Sequence, residues 1–308
     1  MPRTTHARSS LLTAGLAVTG VTLALAATLL TGLGQPAADV RPPPSRPGGA
    51  TADDRLLHDA RQLLLRDCMH RHGFAYRVFP LDEEPETSSF PYVLDDAVWA
   101  GRHGYGSELR RRREATARID PNRAYFAALP ADRKAEALVA ANGPSPDGLT
   151  VRLPGGGILR RSDRGCVAES ERRLYGDVGA WFRASTRVDA LERIRRGRVT
   201  ADPGYLERLD AWRTCMRRAG HAYATPAAAR AAALSPVRPL GKEREVGLAL
   251  AEVRCAEESA LSGTARKLDA HHGRVLAREY RADVQARDLL RSAALPRARR
   301  VLEGTPRP

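Results

Sequence analysis

The four cysteines carry most of the chemistry that spacing alone can show in this chain. Cys68 opens the phrase C-M-x-R-x-G-x-A-Y, which continues through Met69, Arg71, Gly73 and Ala75 to Tyr76. The same phrase returns from Cys215 through Met216, Arg218, Gly220 and Ala222 to Tyr223. Arg66 and Arg213 stand two residues before the two cysteines. Each copy is followed by C-x-x-E-S, first as Cys166, Glu169 and Ser170, then as Cys255, Glu258 and Ser259. A duplicated pattern that uses every cysteine points to structural disulfides. No two cysteines lie close together as in the C-x-x-C of thiol-exchange proteins. The simplest pairing is within each copy, Cys68 with Cys166 and Cys215 with Cys255. Four cysteines allow three connectivities, and spacing does not choose among them; duplication favours the pairing within copies.

Other reactive-looking groups resolve into ordinary structure. Cys68 and His72 share a helix face while His70 points elsewhere, and the second copy carries Arg217 and Ala219 at the histidine positions. Oxidised cysteines do not ligate zinc, so no metal ligand set and no cofactor are expected. His271 and His272 read as helix-surface and stripe residues. The run Gly155 to Gly157 lacks the Lys-Ser/Thr of a phosphate loop and reads as a turn. Gly104-Tyr105-Gly106-Ser107 misses the G-x-S-x-G nucleophile elbow, which leaves a glycine-terminated helix and a loop. Carboxylates cluster at Asp82-Glu83-Glu84, Asp95-Asp96 and Glu257-Glu258. A glycosidase needs two of them facing each other about 5–10 Å apart across a cleft, and spacing along a chain cannot place them so. No catalytic acid, base or nucleophile is assigned. Glu169 and Glu258 follow their cysteines by one turn in both copies, which suggests a buried or half-buried ion pair to Arg71 and to Arg218. The cluster Arg110, Arg111, Arg112 and Arg113 is the best local candidate for contact with an acidic partner.

The elements that must hold these groups are helices. Leu57, Ala60, Leu64 and Cys68 recur every three or four residues, which places the cysteine on the buried stripe. Gly73 then stops the helix, because glycine tolerates a left-handed backbone. The second copy repeats this: Thr200 or Asp202 caps, Pro203 fits the first turn, and Tyr205, Leu209, Trp212 and Met216 form the stripe before Gly220. Ser162 or Asp163 is expected to cap a helix through Cys166 and Leu174. A longer helical run begins after Gly241, passes Leu248, Ala251 and Cys255, and continues towards Leu295-Pro296, with Gly263 and Gly273 inside it. Between the first two cysteines, helices are expected over Asp95 to Arg102, from Asp120-Pro121, and over Ala131 to Ala141. Leu149 to Leu153 and Ile158 to Arg161 flank Pro154 and three glycines, a small β-hairpin. A short helix follows Thr225-Pro226.

The two ends of the chain bear on compartment. Arg3, His6 and Arg8 form a basic lead, and no Asp, Glu, Lys or Arg follows until Asp39. Leu11 to Leu33 is apolar apart from Thr and Gly, close to the ~20 residues that span a bilayer. Ala24-Leu25-Ala26 also offers a cleavage site, so residues 1–38 are a signal anchor or a signal peptide. Either exports the remainder, and export puts the thiols where disulfides form. Residues 39–52, rich in Pro and Gly, form a spacer; helical units are expected over 53–200 and 201–296, with a basic tail over 297–308. The net charge is +14, from 50 basic residues against 36 acidic ones, and only Lys134, Lys242 and Lys267 are lysines. Nucleic acid is disfavoured as a partner because this charge lies outside the membrane. Such Arg- and Ala-rich composition commonly reflects GC-rich codons, so the charge reads first as a solvated surface; attraction to acidic wall polymers or anionic headgroups is the functional reading.

The Cys-Met-x-x-x-Gly phrase followed by an aromatic, Gly104-Tyr105-Gly106, the Tyr125 to Leu129 segment and the Gly165-Cys166 helix together resemble a group of actinobacterial exported proteins. These are membrane-anchored or secreted and of uncharacterised activity, and the similarity covers roughly residues 55–265. The resemblance implies an exported, disulfide-bonded chain and brings no activity with it. The expectation is a mainly α fold of two disulfide-stapled helical units with one hairpin, behind an anchor or signal peptide. Its expected role is a non-catalytic extracytoplasmic binding or accessory module at the bacterial cell envelope, for an envelope protein or acidic wall polymer, attached to the membrane by its N-terminal segment. The alternative is a cell-envelope hydrolase.

Overall fold

The computed structural model describes residues 51–79, 90–118 and 120–304. The expected anchor, residues 39–50 of the expected spacer, the acidic cluster at 82–84 and residues 305–308 lie outside the described residues, whereas Thr51 and Ala52, expected in the spacer, cap and open the first helix. Among the described residues no helix is long and apolar enough to cross a membrane.

Twelve helices and one hairpin make up the described chain. Helices α1 (Ala52–Arg71), α2 (Ala97–His103), α3 (Ser107–Arg118), α4 (Pro121–Ala128) and α5 (Ala131–Asn142) precede strands β1 (Gly148–Arg152) and β2 (Ile158–Ser162). Helices α6 (Gly165–Tyr175), α7 (Val178–Ala201), α8 (Pro203–Arg218) and α9 (Pro226–Ala233) follow. Then come α10 (Lys242–Glu258), α11 (Leu261–Glu279) and α12 (Arg281–Glu303). The hairpin is antiparallel, pairing Gly148 with Ser162 and Arg152 with Ile158. The mainly helical class with a single small hairpin is therefore as expected.

Local sequence explains most of the boundaries. Thr51 and Asp54 form a reciprocal capping box at the start of α1. Asp96, Asp120, Asp177, Asp202 and Thr225 each accept a backbone N–H at the start of their helices. Helix α6 departs from expectation, because it starts at Arg164 with no side-chain cap. Ser162 Oγ instead accepts from the Arg164 N–H and turns the chain out of the hairpin.

The C-terminal run also departs from expectation. It breaks not at Gly263 or Gly273 but at Ala260, which adopts φ 57°, and again at Tyr280. Pro296 does not end the last helix, which continues to Glu303; residues 297–303 are therefore helix, not tail. Packing outweighs the hydrogen bond lost at proline, because Ala294 and Ala298 are fully buried in a cluster with Leu57, Ala60, Leu64 and Leu174. Arg297 Nη1 also donates to the Leu174 carbonyl at 2.8 Å.

The helical units interlock. Helix α12 packs on α1, α6 and α7, and α10 packs on both α2 and α8. One apolar cluster joins Tyr92, Leu94 and Tyr105 to Leu209, Trp212, Met216, Leu248 and Leu261. A separate cluster surrounds the first disulfide with Leu65, Met69, Phe74, Ala137 and Ala140.

Candidate functional site

The disulfides are Cys68–Cys166 and Cys215–Cys255, closing 98 and 40 residues, with Cα–Cα separations of 5.5 Å in both. The rest of the duplicated phrase explains itself around them. Gly73 and Gly220 have φ 77° and 82°, directly after their helices. The Phe74 N–H donates to the Met69 carbonyl and the Gly73 N–H to His70. His221 and Gly220 repeat these bonds to Met216 and Arg217. This is a Schellman closure, built twice from the same letters. Tyr76 folds back over the helix end, its hydroxyl donating to Gln62 Oε1 at 2.9 Å.

Arg71 pairs with Glu169 and Arg218 with Glu258, as the duplicated letters suggested. Neither pair is buried: the side chains are 53 % and 38 % exposed in the first, 62 % and 58 % in the second. The helix ends that carry them face water, so the expected half-burial is corrected to a surface contact. The second oxygen of each glutamate lies 3.3 Å from Cys68 Sγ or Cys215 Sγ. A disulfide sulfur carries no proton, so this is a packing contact and not a hydrogen bond. His72 joins Cys68 and Cys166 in a cluster whose donor atoms all lie within 4.8 Å. Both sulfurs are bonded to each other, which leaves the imidazole as the free donor of that cluster.

The four-arginine cluster is divided by its helix. Arg111, Arg112 and Arg113 are exposed on α3, and Arg112 pairs with Glu108 one turn back. Arg110 turns the other way, and its Nη2 donates to the Leu234 carbonyl at 2.6 Å. It thereby enters a cleft of about 480 Å³. Phe90, Tyr92, Pro226, Pro236 and the half-buried Arg230 line the cleft with it. Among the described residues the lining contains two arginines and no carboxylate. A second groove of about 730 Å³ borders the first disulfide, and its charges are mixed: His72, Arg164 and Arg172 against Glu136, Asp163 and Glu169.

Two buried carboxylates on α10 fasten the segment that joins the cleft-lining residues 90–92 to Arg110. Glu252, 1 % exposed, accepts the Leu94 N–H at 2.7 Å and the Tyr105 hydroxyl. Glu245, fully buried, accepts the N–H groups of Tyr105 and Ser107 at 2.8 and 3.0 Å, and the Ser107 hydroxyl. Gly104-Tyr105-Gly106-Ser107 is thus a turn that wraps a carboxylate. Burial pushes the Glu252 carboxyl up to about 6, against the pull of its two donors and of Arg230. Burial, reinforced by Glu252, likewise pushes the Tyr105 hydroxyl well up from its ordinary value.

Sequence reading did not single out Glu245, Glu252 or Arg230. For the glutamates a signal existed: both fall in phase with Leu248 and Cys255 on the apolar stripe of α10. A charge at a stripe position is buried, and a buried charge requires donors. No protein-family model, no curated protein and no solved structure matches the chain.

Proposed function

We propose that this chain is a non-catalytic extracytoplasmic binding or accessory module at the bacterial cell envelope, tethered by its apolar N-terminal segment. The observation that carries the reading is the cleft between residues 90–92, α3 and α9. Its volume of about 480 Å³ falls in the ~300–1,000 Å³ range of small-ligand sites, and apolar walls with a few convergent polar groups are the usual composition of such sites. The segment joining residues 90–92 to Arg110 is held by two buried carboxylates, so the opening is formed before any partner arrives. The paired disulfides support the compartment, because such bonds persist in oxidising surroundings.

The test is photo-crosslinking of the full chain in its own envelope, with a benzophenone amino acid at Ala231, an exposed residue of the cleft. One discrete adduct, absent when the probe replaces Arg160 on the hairpin, is the expected result. A cytosolic chain with free thiols, or equal labelling from both positions, overturns the reading.

A further inference from the structure

We propose that the cleft binds a carboxylate borne on an apolar body, with Arg110 and Arg230 gripping the anion. This rests on the binding reading above and names the chemistry of its ligand. The Arg230 backbone carbonyl accepts the Leu234 N–H, while its guanidinium makes no hydrogen bond or ion pair among the described residues. Its charge reaches Glu252, where it opposes the larger upward push that burial gives that carboxyl. Arg110 spends one Nη2 bond on the Leu234 carbonyl, and its buried Nε has no hydrogen-bond partner among the described residues. That Nε forms an ion pair with Glu114 Oε1 at 3.6 Å, beyond hydrogen-bond range and on an exposed side chain, so water screens it.

A planar guanidinium offers forked donors that match a carboxylate, and charge-assisted bonds of this kind are the strong ones. Two guanidinium groups, with no carboxylate among the described lining residues, make an anion the complementary charge. The walls decide what the anion is attached to. Phe90 and Tyr92 on one side, and Pro226, Ala227 and Pro236 on the other, offer apolar surface to a ring or aliphatic chain. A naked inorganic anion would leave that surface unused.

The experiment is calorimetric titration of the full chain in detergent with three probes: N-acetylphenylalanine, its neutral amide, and inorganic phosphate. A charge-assisted hydrogen bond contributes about 1.5–3 kcal/mol, so the acid should bind about tenfold or more tighter than the amide. Arg230→Gln should weaken the acid by a similar factor, with little change in melting temperature. Arg111→Gln, on the exposed face of α3, should leave binding unchanged. Equal affinity for acid and amide overturns the proposal, as does a folded protein that binds neither. Phosphate binding as tight as the acid overturns the apolar-body half. If a discrete adduct forms at Ala231 while the acid fails to bind, the module reading survives and only the ligand class falls.

Discussion

Leu94 and Glu252 lie 158 residues apart in the chain, yet the Leu94 N–H donates to Glu252 Oε1 at 2.7 Å in a place closed to water. The bond fastens to α10 the segment that directly follows the cleft-lining residues 90–92. Burial raises this carboxyl from an ordinary 4.5 to about 6 in the folded protein. Between those values the native state holds more protons than the unfolded one. The contribution to stability is therefore complete below the unfolded value and is lost as pH rises through about 6. The shift corresponds to a loss on the order of 2 kcal/mol. Urea unfolding from pH 4 to 7.5 should show wild type losing about that much relative to Glu252→Gln. Parallel pH curves would refute it.

Glu245 makes a different demand, on shape. At Gly104, φ is 62°, and an added Cβ would stand 2.7 Å from Glu245 Cγ. Gly104→Ala combines a disfavoured backbone, about 1–3 kcal/mol, with a clash against a fully buried carboxylate. The variant should lose at least about 2 kcal/mol in denaturant unfolding. Gly101→Ala, whose Cβ would meet nothing within 4 Å, should lose nothing. Equal stability of the two variants would show that the turn does not depend on wrapping Glu245.

Features with local causes were legible in the letters. The Schellman closures at Gly73 and Gly220, the aspartate caps and the glycine-rich hairpin need only a few neighbouring residues. Helix α7 was not legible. It meets α11 and α12 as well as β1, so its apolar residues do not gather on one stripe, and Gly179 and Gly197 lie inside it. Pro296 misled for a related reason, since the helix through it is held by burial of Ala294 and Ala298. The cleft depends on contacts between residues more than a hundred positions apart, such as Arg110 with Leu234. One arginine of four was the informative one, and only the phase of α3 against α9 distinguishes it.

The repeated Arg–Glu pairs invite overvaluation. Because both side chains of Arg218 and Glu258 are more than half exposed, water screens them. Exposed pairs typically contribute about 0.2–1 kcal/mol. Glu258→Gln and Glu169→Gln should each change stability by less than about 1 kcal/mol, and the small effect should shrink further in 1 M salt. A loss above about 2 kcal/mol in a double-mutant cycle with Arg218→Gln would mean that the pair is shielded from solvent.

The disulfides should dominate that ledger, and unequally. On chain-entropy grounds a closed loop of 98 residues restrains the unfolded chain by about 4–5 kcal/mol, and one of 40 residues by ~4 kcal/mol. Those magnitudes approach the whole stability of many domains, about 5–15 kcal/mol. Replacing Cys68 and Cys166 together by Ala should loosen the cluster of Leu65, Met69, Phe74, Ala137 and Ala140. Hydrogen exchange should then accelerate first in α5 and the end of α1. Replacing Cys215 and Cys255 should instead expose α8 and α10, and with them the segment that Glu245 and Glu252 hold. Only the second variant should therefore lose cleft crosslinking while its first unit stays protected. Identical exchange patterns in the two variants would show that the helical units melt as one cooperative block.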